Sequence, residues 1–305
     1  MKSKRRFFIE VIICIIIIIF LLSKMDLQKT LEIIKNLNYT WLSLALLLYI
    51  IFLLLTAYSL KVLFDAIHFT PFHEWLRFYL VGFSIGLILP GRAGDLSIIY
   101  FTKERGFDIG QSTALTITDK IITLSLFGLL AVLSIFTILK SAQLYFGLFL
   151  ALFCIAIGIL SFTKAGRELA KKILGKYTEK FKGFYKTLKE LLTNHKDKIL
   201  INIGITLLRP IGNALLILLI FKAMNLNVSL FYAVLINAVT LIVSLIPLTP
   251  NGLGIREGTG AFLFSKLGIP LEASLSMYII ILIMNYSTGI IGASQYLLHK
   301  RKTSQ

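Results

Sequence analysis

The feature that most constrains this chain is a series of long apolar runs. An α-helix rises about 1.5 Å per residue, so about 20 apolar residues cross the roughly 30 Å hydrocarbon core of a bilayer. Six runs are predicted to be full spans: residues 7–23, 41–64, 115–139, 143–162, 199–221 and 272–298. Only 15% of the residues are charged, which is too few for a water-soluble domain. We therefore predict an all-α integral membrane protein, with residues 1–305 forming a single polytopic domain.

The distribution of Lys and Arg predicts the orientation. The loop 163–198 holds eleven Lys or Arg residues against four acids, and short basic loops lie on the cytoplasmic side. The basic N-terminus and the tail at residues 300–302 are placed on the same side. The first apolar run has no small-residue cleavage site after it and is interpreted as an uncleaved anchor. We expect a multi-pass protein of the cell membrane with both termini in the cytoplasm.

Two further apolar runs are predicted to be re-entrant hairpins. The basic loop and the basic tail are predicted to lie on one side of the membrane, so the chain between them must cross the membrane an even number of times. Residues 199–221 and 272–298 already provide two crossings, so residues 228–247 cannot form a third span. They are predicted to enter from outside, break at Pro247 to Gly258 and return through residues 259–268. Residues 75–106 are predicted to form a matching hairpin that enters from the cytoplasm and breaks at Pro90 to Gly94.

An inverted repeat follows from comparing the two halves. Landmarks recur at an offset of roughly 160 residues: Pro90 corresponds to Pro250, Asp95 to Glu257, and Gly106 to Gly268. The order span, hairpin, span therefore occurs twice, over about residues 41–139 and 199–298. The two copies enter the membrane from opposite faces. Transporters are commonly built from such repeats, with broken helices meeting near the midplane. The alternative to an inverted repeat is a chance similarity in hydropathy between the two halves.

The two predicted breaks are rich in helix-breaking residues. The first contains Pro90, Gly91 and Gly94, and the second contains Pro247, Pro250, Gly252 and Gly254. Proline removes a backbone donor and glycine permits conformations that other residues avoid, so the helix opens. Irregular backbone at membrane depth persists only inside protein or along a wet cavity. A helix that begins there directs its free N–H groups at the cavity, where a phosphate would be favoured.

Charges inside a membrane cost roughly 2.5–3.5 kcal/mol each on the insertion scale, which makes them functional candidates. We predict a substrate-binding set comprising Arg92, Asp95, Arg209, Arg256 and Glu257, with Asp119 and Lys120 as a supporting pair. A planar guanidinium holds phosphate in a two-pronged geometry, which favours phosphate contact for the three arginines. Arg92 and Arg256 are predicted to act together on one anionic headgroup. The alternative is that Arg and acid only pair with each other to fix the hairpins, and for Asp95 and Glu257 the two interpretations are equally supported.

The motifs at the breaks resemble a known family. They read Pro90-Gly91-Arg92-x-Gly94-Asp95 and Pro247-x-x-Pro250-x-Gly252-Leu253-Gly254-x-x-Glu257. They are similar to the flippase-like membrane region of lysyl-phosphatidylglycerol synthases and its stand-alone relatives. The resemblance implies a membrane protein that moves or handles lipids, with both hairpins at the substrate cavity.

This sequence departs from the family pattern at three places. Asp95 stands where Glu is usual, Asn251 where Gly is frequent, and Asp119-Lys120 where a Glu-Arg pair is common. These departures leave the identity of the lipid open. The synthases also carry a large soluble aminoacyl-transfer domain after the membrane region, whereas this sequence ends at Gln305. We therefore expect that it does not make aminoacyl lipid by itself.

The leading functional hypothesis is a flippase or scramblase-like transporter of an anionic phospholipid or a polyprenyl-phosphate lipid. One alternative is a non-transporting partner or scaffold of a lipid-modifying enzyme, and another is an enzyme acting on lipid headgroups. We expect no catalytic residue, cofactor or metal site. The one esterase-like motif, Gly82-x-Ser84-x-Gly86, falls within an apolar helix and is interpreted as close helix packing.

The expected partners are membrane lipids with anionic headgroups, and a lipid-synthesis protein in the scaffold alternative. Nucleic acid is excluded because the basic residues cluster beside membrane segments. The cytoplasmic loop has an apolar helical face, made of Leu169, Ile173, Tyr177, Phe181, Phe184, Leu188 and Leu191. This face predicts a helix lying on anionic lipid, or alternatively one packed on the protein itself.

The charge distribution generates a test of topology. Single cysteines at Asn38 and Asn227 should react with a membrane-impermeant thiol reagent added outside intact cells, whereas Thr178→Cys should react only after permeabilisation. Labelling of Thr178→Cys from outside would reverse the orientation. Exposure of the two flanks of residues 228–268 on opposite sides would exclude the second hairpin.

Overall fold

The computed structural model describes residues 16–17, 19, 23, 26–89, 96–138, 183–246 and 248–303, and every regular element in these ranges is helical. In chain order the helices are α1 (Leu27–Lys35), α2 (Tyr39–Phe64), α3 (Phe72–Ile88), α4 (Ile98–Phe101), α5 (Ile109–Ile138), α6 (Phe184–Asn194), α7 (Lys196–Ala223), α8 (Leu230–Val243), α9 (Ile255–Ser265) and α10 (Leu271–Thr303). A 3₁₀ turn, Thr102–Arg105, follows α4.

Four of the described helices are long and apolar enough to cross a membrane: α2, α5, α7 and residues 271–297 of α10. They match four of the six predicted spans, and α7 continues through Pro210. The other two predicted spans, 7–23 and 143–162, lie outside the described residues apart from four positions near the end of the first. The all-helical membrane fold is therefore confirmed, whereas the number of six spans stays a prediction.

Side-chain caps begin the two helices at the start of the described chain. Asn38 Oδ1 accepts hydrogen bonds from the N–H groups of Thr40 (3.0 Å) and Trp41 (3.4 Å) where α2 begins. Asp26 caps α1 in the same way, and its bond from the Lys29 N–H is the main cause of a lowered pKa for its exposed carboxylate. Such caps satisfy N–H groups that have no partner within the helix.

In the structure, the second predicted hairpin consists of the helices α8 and α9, separated by a break. At about 1.5 Å per residue, α8 and α9 are roughly 21 and 17 Å long, so neither reaches across the hydrocarbon core alone. The two helices pack against each other, and α9 also packs against α10. The break is shorter than predicted, because the helix resumes at Ile255 and not after Gly258. Re-entry from the outside stays a prediction.

The first predicted hairpin is described on both sides of its break. α3 ends at Ile88, residues 90–95 lie outside the described part, and α4 with its 3₁₀ turn follows. Gly106 and Gly268, which correspond in the predicted repeat, both have φ near +80° and both end a helical segment. The residues after them donate equivalent bonds, Phe107 N to Thr102 O and Ile269 N to Phe264 O. This likeness supports the repeat, which stays a prediction.

The described chain forms two compact units. The first comprises residues within 1–52, 80–95 and 210–305, and the second comprises residues within 53–79 and 96–209. Trp75 is fully buried in the core of the second unit and donates its indole N–H to the Ala57 carbonyl at 2.7 Å. Leu191 of α6 is buried in the same core. In this described part of the basic loop, the apolar face therefore packs on the protein at Leu191, while Phe184 and Leu188 of the same face are half-buried.

In the first unit, α3 and α10 pack closely through small residues. The Ser84 hydroxyl donates to the Gly289 carbonyl of α10 at 2.7 Å and to Leu80 of its own helix at 2.8 Å. A Cβ at Gly292 would overlap the Leu80 carbonyl oxygen. Ser84 is therefore a packing residue, as predicted for the Gly82-x-Ser84-x-Gly86 motif.

This contact predicts a difference between two glycines of membrane-spanning helices. Gly292→Ala should destabilise the protein by about 1–3 kcal/mol, because backbone must move to admit the methyl group. Gly204→Ala is the matched control, since nothing lies within 4 Å of the added Cβ and alanine favours the helix. Thermal unfolding in detergent measures both. Equal midpoints for the two variants would contradict the close approach.

Candidate functional site

The second break depends on residues in the left-handed conformation. Asn251 has φ near +49°, Gly252 near +72° and Gly254 near +85°. Asparagine tolerates this region better than other side-chain-bearing residues, which explains how it fits at position 251. A Cβ on Gly252 would lie 2.6 Å from Ser244 Cα. The conformation and the space thus both require glycine at position 252.

Glu257 fixes the point where α9 begins. Its carboxylate is buried, with 6% of the residue exposed, and accepts a hydrogen bond of 2.6 Å from the Gly254 N–H. An acid in the first turn that reaches back in this way satisfies a free N–H group and suits the positive end of the helix dipole. This contact explains why the helix resumes at Ile255 and makes Glu257 a helix cap.

Arg256 is the neighbouring cation in the same turn. Among the described residues, no carboxylate oxygen lies within 4 Å of its guanidinium, and its buried Nε has no hydrogen-bond partner. Its charge acts on the Glu257 carboxylate and on the Tyr278 hydroxyl of α10. Arg256 is thus a half-buried cation that the described residues do not neutralise by a direct ion pair.

Polar side chains that sequence reasoning missed lie on the same elements. Tyr278 is almost fully buried, and its hydroxyl occupies the space that a side chain at Gly260 would need. Asn237 of α8 and Thr249 of the break are also buried, and neither Asn237 Nδ2 nor Thr249 Oγ1 has a partner among the described residues. We call Arg256, Glu257, Tyr278, Asn237 and Thr249 the hairpin cluster. The signal that could have revealed Asn237 is an amide within an otherwise apolar helix.

One backbone contact reaches the second break from the end of α3. The Asn251 N–H donates to the Leu89 carbonyl at 3.1 Å, and Leu89 directly precedes Pro90. Six of the predicted site and turn residues lie outside the described part of the chain. Five belong to the first break and one to the second: Pro90, Gly91, Arg92, Gly94, Asp95 and Pro247. The meeting of Arg92 and Arg256 therefore stays a prediction.

Arg209 and Asp119 belong to a second group of polar side chains, in the other unit. Asp119 Oδ1 accepts from Arg209 Nη2 at 3.2 Å and from Asn202 Nδ2 at 3.0 Å. Asn202 Nδ2 also lies within hydrogen-bond distance of the backbone carbonyl (2.9 Å) and the hydroxyl (2.8 Å) of Ser59, which share its second N–H. Arg209 Nη1 donates to Thr123 at 3.0 Å. We call Asp119, Arg209, Asn202, Ser59 and Thr123 the span cluster.

The span cluster adds a partner to the pair that the sequence suggested. Asp119 is 2% exposed, its Oδ1 bonds to Arg209, and Lys120 Nζ lies 3.8 Å from its Oδ2, within ion-pair distance. Both terminal nitrogens of Arg209 therefore have protein partners. This arrangement is the ion pairing named above as the alternative to phosphate contact for Arg209. The sequence analysis did not identify Asn202 as a site residue. Asn202 precedes Arg209 by seven residues in α7 and lies on the same helix face.

Neither cluster has the groups that metal chemistry requires. In the described ranges, no group of three or more His, Cys, Asp or Glu residues could hold a metal ion. The chemistry available is hydrogen bonding by amides and hydroxyls, together with cation recognition of anions by arginine.

The buried pair predicts strong coupling between two substitutions. Arg209→Met alone and Asp119→Leu alone should each cost about 3 kcal/mol, because each leaves an opposite charge buried without its main partner. The double variant should lose much less than both losses together. Thermal unfolding in detergent measures this, with Lys120→Met as a control expected to have a smaller effect. Additive losses would show that the pair does not interact.

The chain is similar to known membrane proteins along nearly its whole length. Residues 7–292 match the family model described as "Lysylphosphatidylglycerol synthase TM region". A "UPF0104 membrane protein" of Archaeoglobus fulgidus is 25% identical over 284 residues, which cover 85% of this chain and 86% of that protein. The match extends over nearly the whole chain, including both predicted hairpins and both clusters. The protein is a membrane protein that belongs to the family of lysylphosphatidylglycerol synthase transmembrane regions.

Proposed function

We propose that this protein moves an anionic lipid between the two leaflets, as a flippase or scramblase-like transporter, and that Arg256 contacts the lipid phosphate. The observation that carries the proposal is the state of Arg256. It is half-buried in the first turn of α9, its Nε is buried without a partner, and no described carboxylate lies within 4 Å. A phosphate would supply the missing negative charge and accept from the guanidinium.

The position of Arg256 in its helix supports the same conclusion. A cation in the first turn opposes the positive end of the helix dipole, so Arg256 does not stabilise α9 electrostatically. Glu257 next to it has the favourable sign and caps the helix. An unfavourably placed charge at membrane depth is better explained by ligand contact than by folding.

The contact between the hairpins adds further support. The Asn251 N–H bonds to the Leu89 carbonyl, next to the first predicted break. Arg92 follows three residues after Leu89 in the sequence. We therefore keep Arg92 as the proposed second contact on the same headgroup, with Asp95 beside it.

We favour translocation over headgroup chemistry. The described part of the hairpin cluster offers an arginine, an amide and hydroxyls, which can bind a phosphate. The proposed substrates are phospholipids or polyprenyl phosphates, because both present a phosphate at the membrane surface. A non-transporting partner of a lipid-modifying enzyme would need no cation that, like Arg256, lacks a direct ion pair among the described residues.

The decisive experiment measures lipid movement in vesicles that contain the purified protein. Acyl-labelled phosphatidylglycerol is the probe, and labelled phosphatidylcholine tests headgroup selectivity. Arg256→Ala should slow phosphatidylglycerol movement at least about tenfold, because a hydrogen bond to a charged group contributes about 1.5–3 kcal/mol. Arg256→Lys should recover only part of the rate, since lysine contacts phosphate as a point charge.

Lys266→Ala is the matched control. Lys266 lies at the opposite end of α9, is exposed, and contacts only the Phe262 ring among the described residues. Its loss should leave the rate unchanged. A folded Arg256→Ala variant with the parental rate would disprove the headgroup contact. An equal loss for Lys266→Ala would indicate a general charge effect, and unfolding of both Arg256 variants would indicate a structural role.

A further inference from the structure

The facing surfaces of α5 and α7 carry two polar stripes. Thr116, Asp119 and Thr123 lie three and four residues apart on α5, and Asn202, Thr206 and Arg209 lie four and three apart on α7. Such spacing places each set on one helix face. The bonds from Asn202 and Arg209 to Asp119, and from Arg209 to Thr123, show that the two faces meet.

Four buried polar atoms between these faces have no partner among the described residues. They are Thr116 Oγ1, Asn202 Oδ1, Thr206 Oγ1 and Arg209 Nε. All four residues are more than nine-tenths buried. Buried polar groups in folded proteins are nearly always hydrogen-bonded to protein, water or ligand, so four such atoms on two facing helices indicate a bound molecule.

The chemical nature of these atoms restricts what can bind. The Asn202 Nδ2 group faces the Ser59 carbonyl and the Asp119 carboxylate, which only accept hydrogen bonds. This fixes the orientation of the amide and leaves Asn202 Oδ1 as an acceptor. Arg209 Nε can only donate. A molecule that satisfies both must donate one hydrogen bond and accept another.

Pro210 adds a further acceptor at the same level of α7. A proline within a helix has no N–H for the carbonyl four residues earlier, which here belongs to Thr206. The Thr206 carbonyl therefore lacks the donor that an α-helix normally provides. Water or a polar group commonly fills such a gap in a helix.

Two of the unpartnered atoms belong to side chains that meet at one carboxylate oxygen. Asn202 Nδ2 and Arg209 Nη2 both bond to Asp119 Oδ1, at 3.0 and 3.2 Å. The amide and the guanidinium are therefore neighbours, and Thr206 lies on the turn of α7 between their backbones. One bound group beside Asp119 would therefore face both side chains.

We propose that Asn202, Thr206 and Arg209 form an intramembrane binding site for a hydroxyl group, supplied by water or by the headgroup of a polyol lipid. A bare phosphate diester does not fit, because it cannot donate to Asn202 Oδ1. A metal cation does not fit, because it cannot accept from Arg209 Nε and meets the arginine charge. The site rests on contacts of α5 and α7 alone and does not require lipid transport.

The direct test is an experimental density map of the protein in lipid nanodiscs, at a resolution that shows ordered water. One sample contains phosphatidylglycerol and the other phosphatidylmethanol, an anionic lipid without headgroup hydroxyls. We expect density within hydrogen-bond distance of Asn202 Oδ1 and Arg209 Nε. An isolated peak in both samples assigns water, and density continuous with the headgroup in phosphatidylglycerol alone assigns the lipid. No peak in either sample would overturn the proposal.

A second test uses two threonines of the same unit. Thr206→Val removes the hydroxyl and leaves every described side-chain bond of the span cluster in place. It should lower the midpoint of thermal unfolding by about 3 °C, because the bound hydroxyl loses a partner. Thr118→Val is the control, since the Thr118 hydroxyl is buried but already bonds to the Ala114 carbonyl.

The sign of the Thr206→Val effect decides the outcome. Without a bound hydroxyl, replacing the lone buried Thr206 hydroxyl by a methyl group would leave the midpoint at the parental value or raise it, whereas Thr118→Val, which loses a hydrogen bond within the protein, would still lower it. That result would contradict the site. If a lipid supplies the hydroxyl, phosphatidylglycerol should stabilise the parent more than phosphatidylmethanol does, and Thr206→Val should abolish that difference. Failure of the vesicle assay with Arg256 variants would leave these results unaffected, so the two proposals can fail separately.

Discussion

A chain in hydrocarbon has no water to satisfy its N–H and C=O groups, and each group left without a partner costs several kcal/mol. Helices solve this for most of the described chain. The exceptions are the places where the backbone breaks or a polar side chain is buried, and there the structure supplies specific partners. Glu257 caps the Gly254 N–H, Asn251 bonds to Leu89, and Asp119 receives two donors from α7.

The two polar clusters differ in how they treat charge. In the span cluster, Asp119 neutralises Arg209 and Asn202 completes the network, so most of the bonding capacity is used within the protein. In the hairpin cluster, the carboxylate of Glu257 accepts from the backbone, and among the described residues Arg256 has no carboxylate oxygen within 4 Å. A directly bonded pair stabilises the fold, whereas a cation without such a bond can attract a ligand of opposite sign. This contrast is the physical reason for proposing phosphate contact at Arg256.

Much of the architecture could be predicted from the sequence, because span length and helix breakers are local signals. Four spans and the position of the second break were found in this way. The end of that break was misplaced, since it depends on a contact between Glu257 and Gly254 that composition alone does not show. The second partner of Asp119 was missed, because Lys120 is adjacent in sequence whereas Arg209 is brought close only by folding. Tyr278 was missed because its hydroxyl is accommodated by the missing side chain at Gly260, a contact that only folding brings about.

The hydrogen bond between Asn251 and Leu89 has a mechanical consequence. It joins the second break to the end of α3 through backbone atoms alone. Separating the two in a medium without water would leave an amide and a carbonyl unsatisfied, at a cost larger than the same step in solution. The end of α3 and the tip of the second hairpin therefore behave as one mechanical element. A conformational change that opens a path beside Arg256 at low cost would carry both of them together.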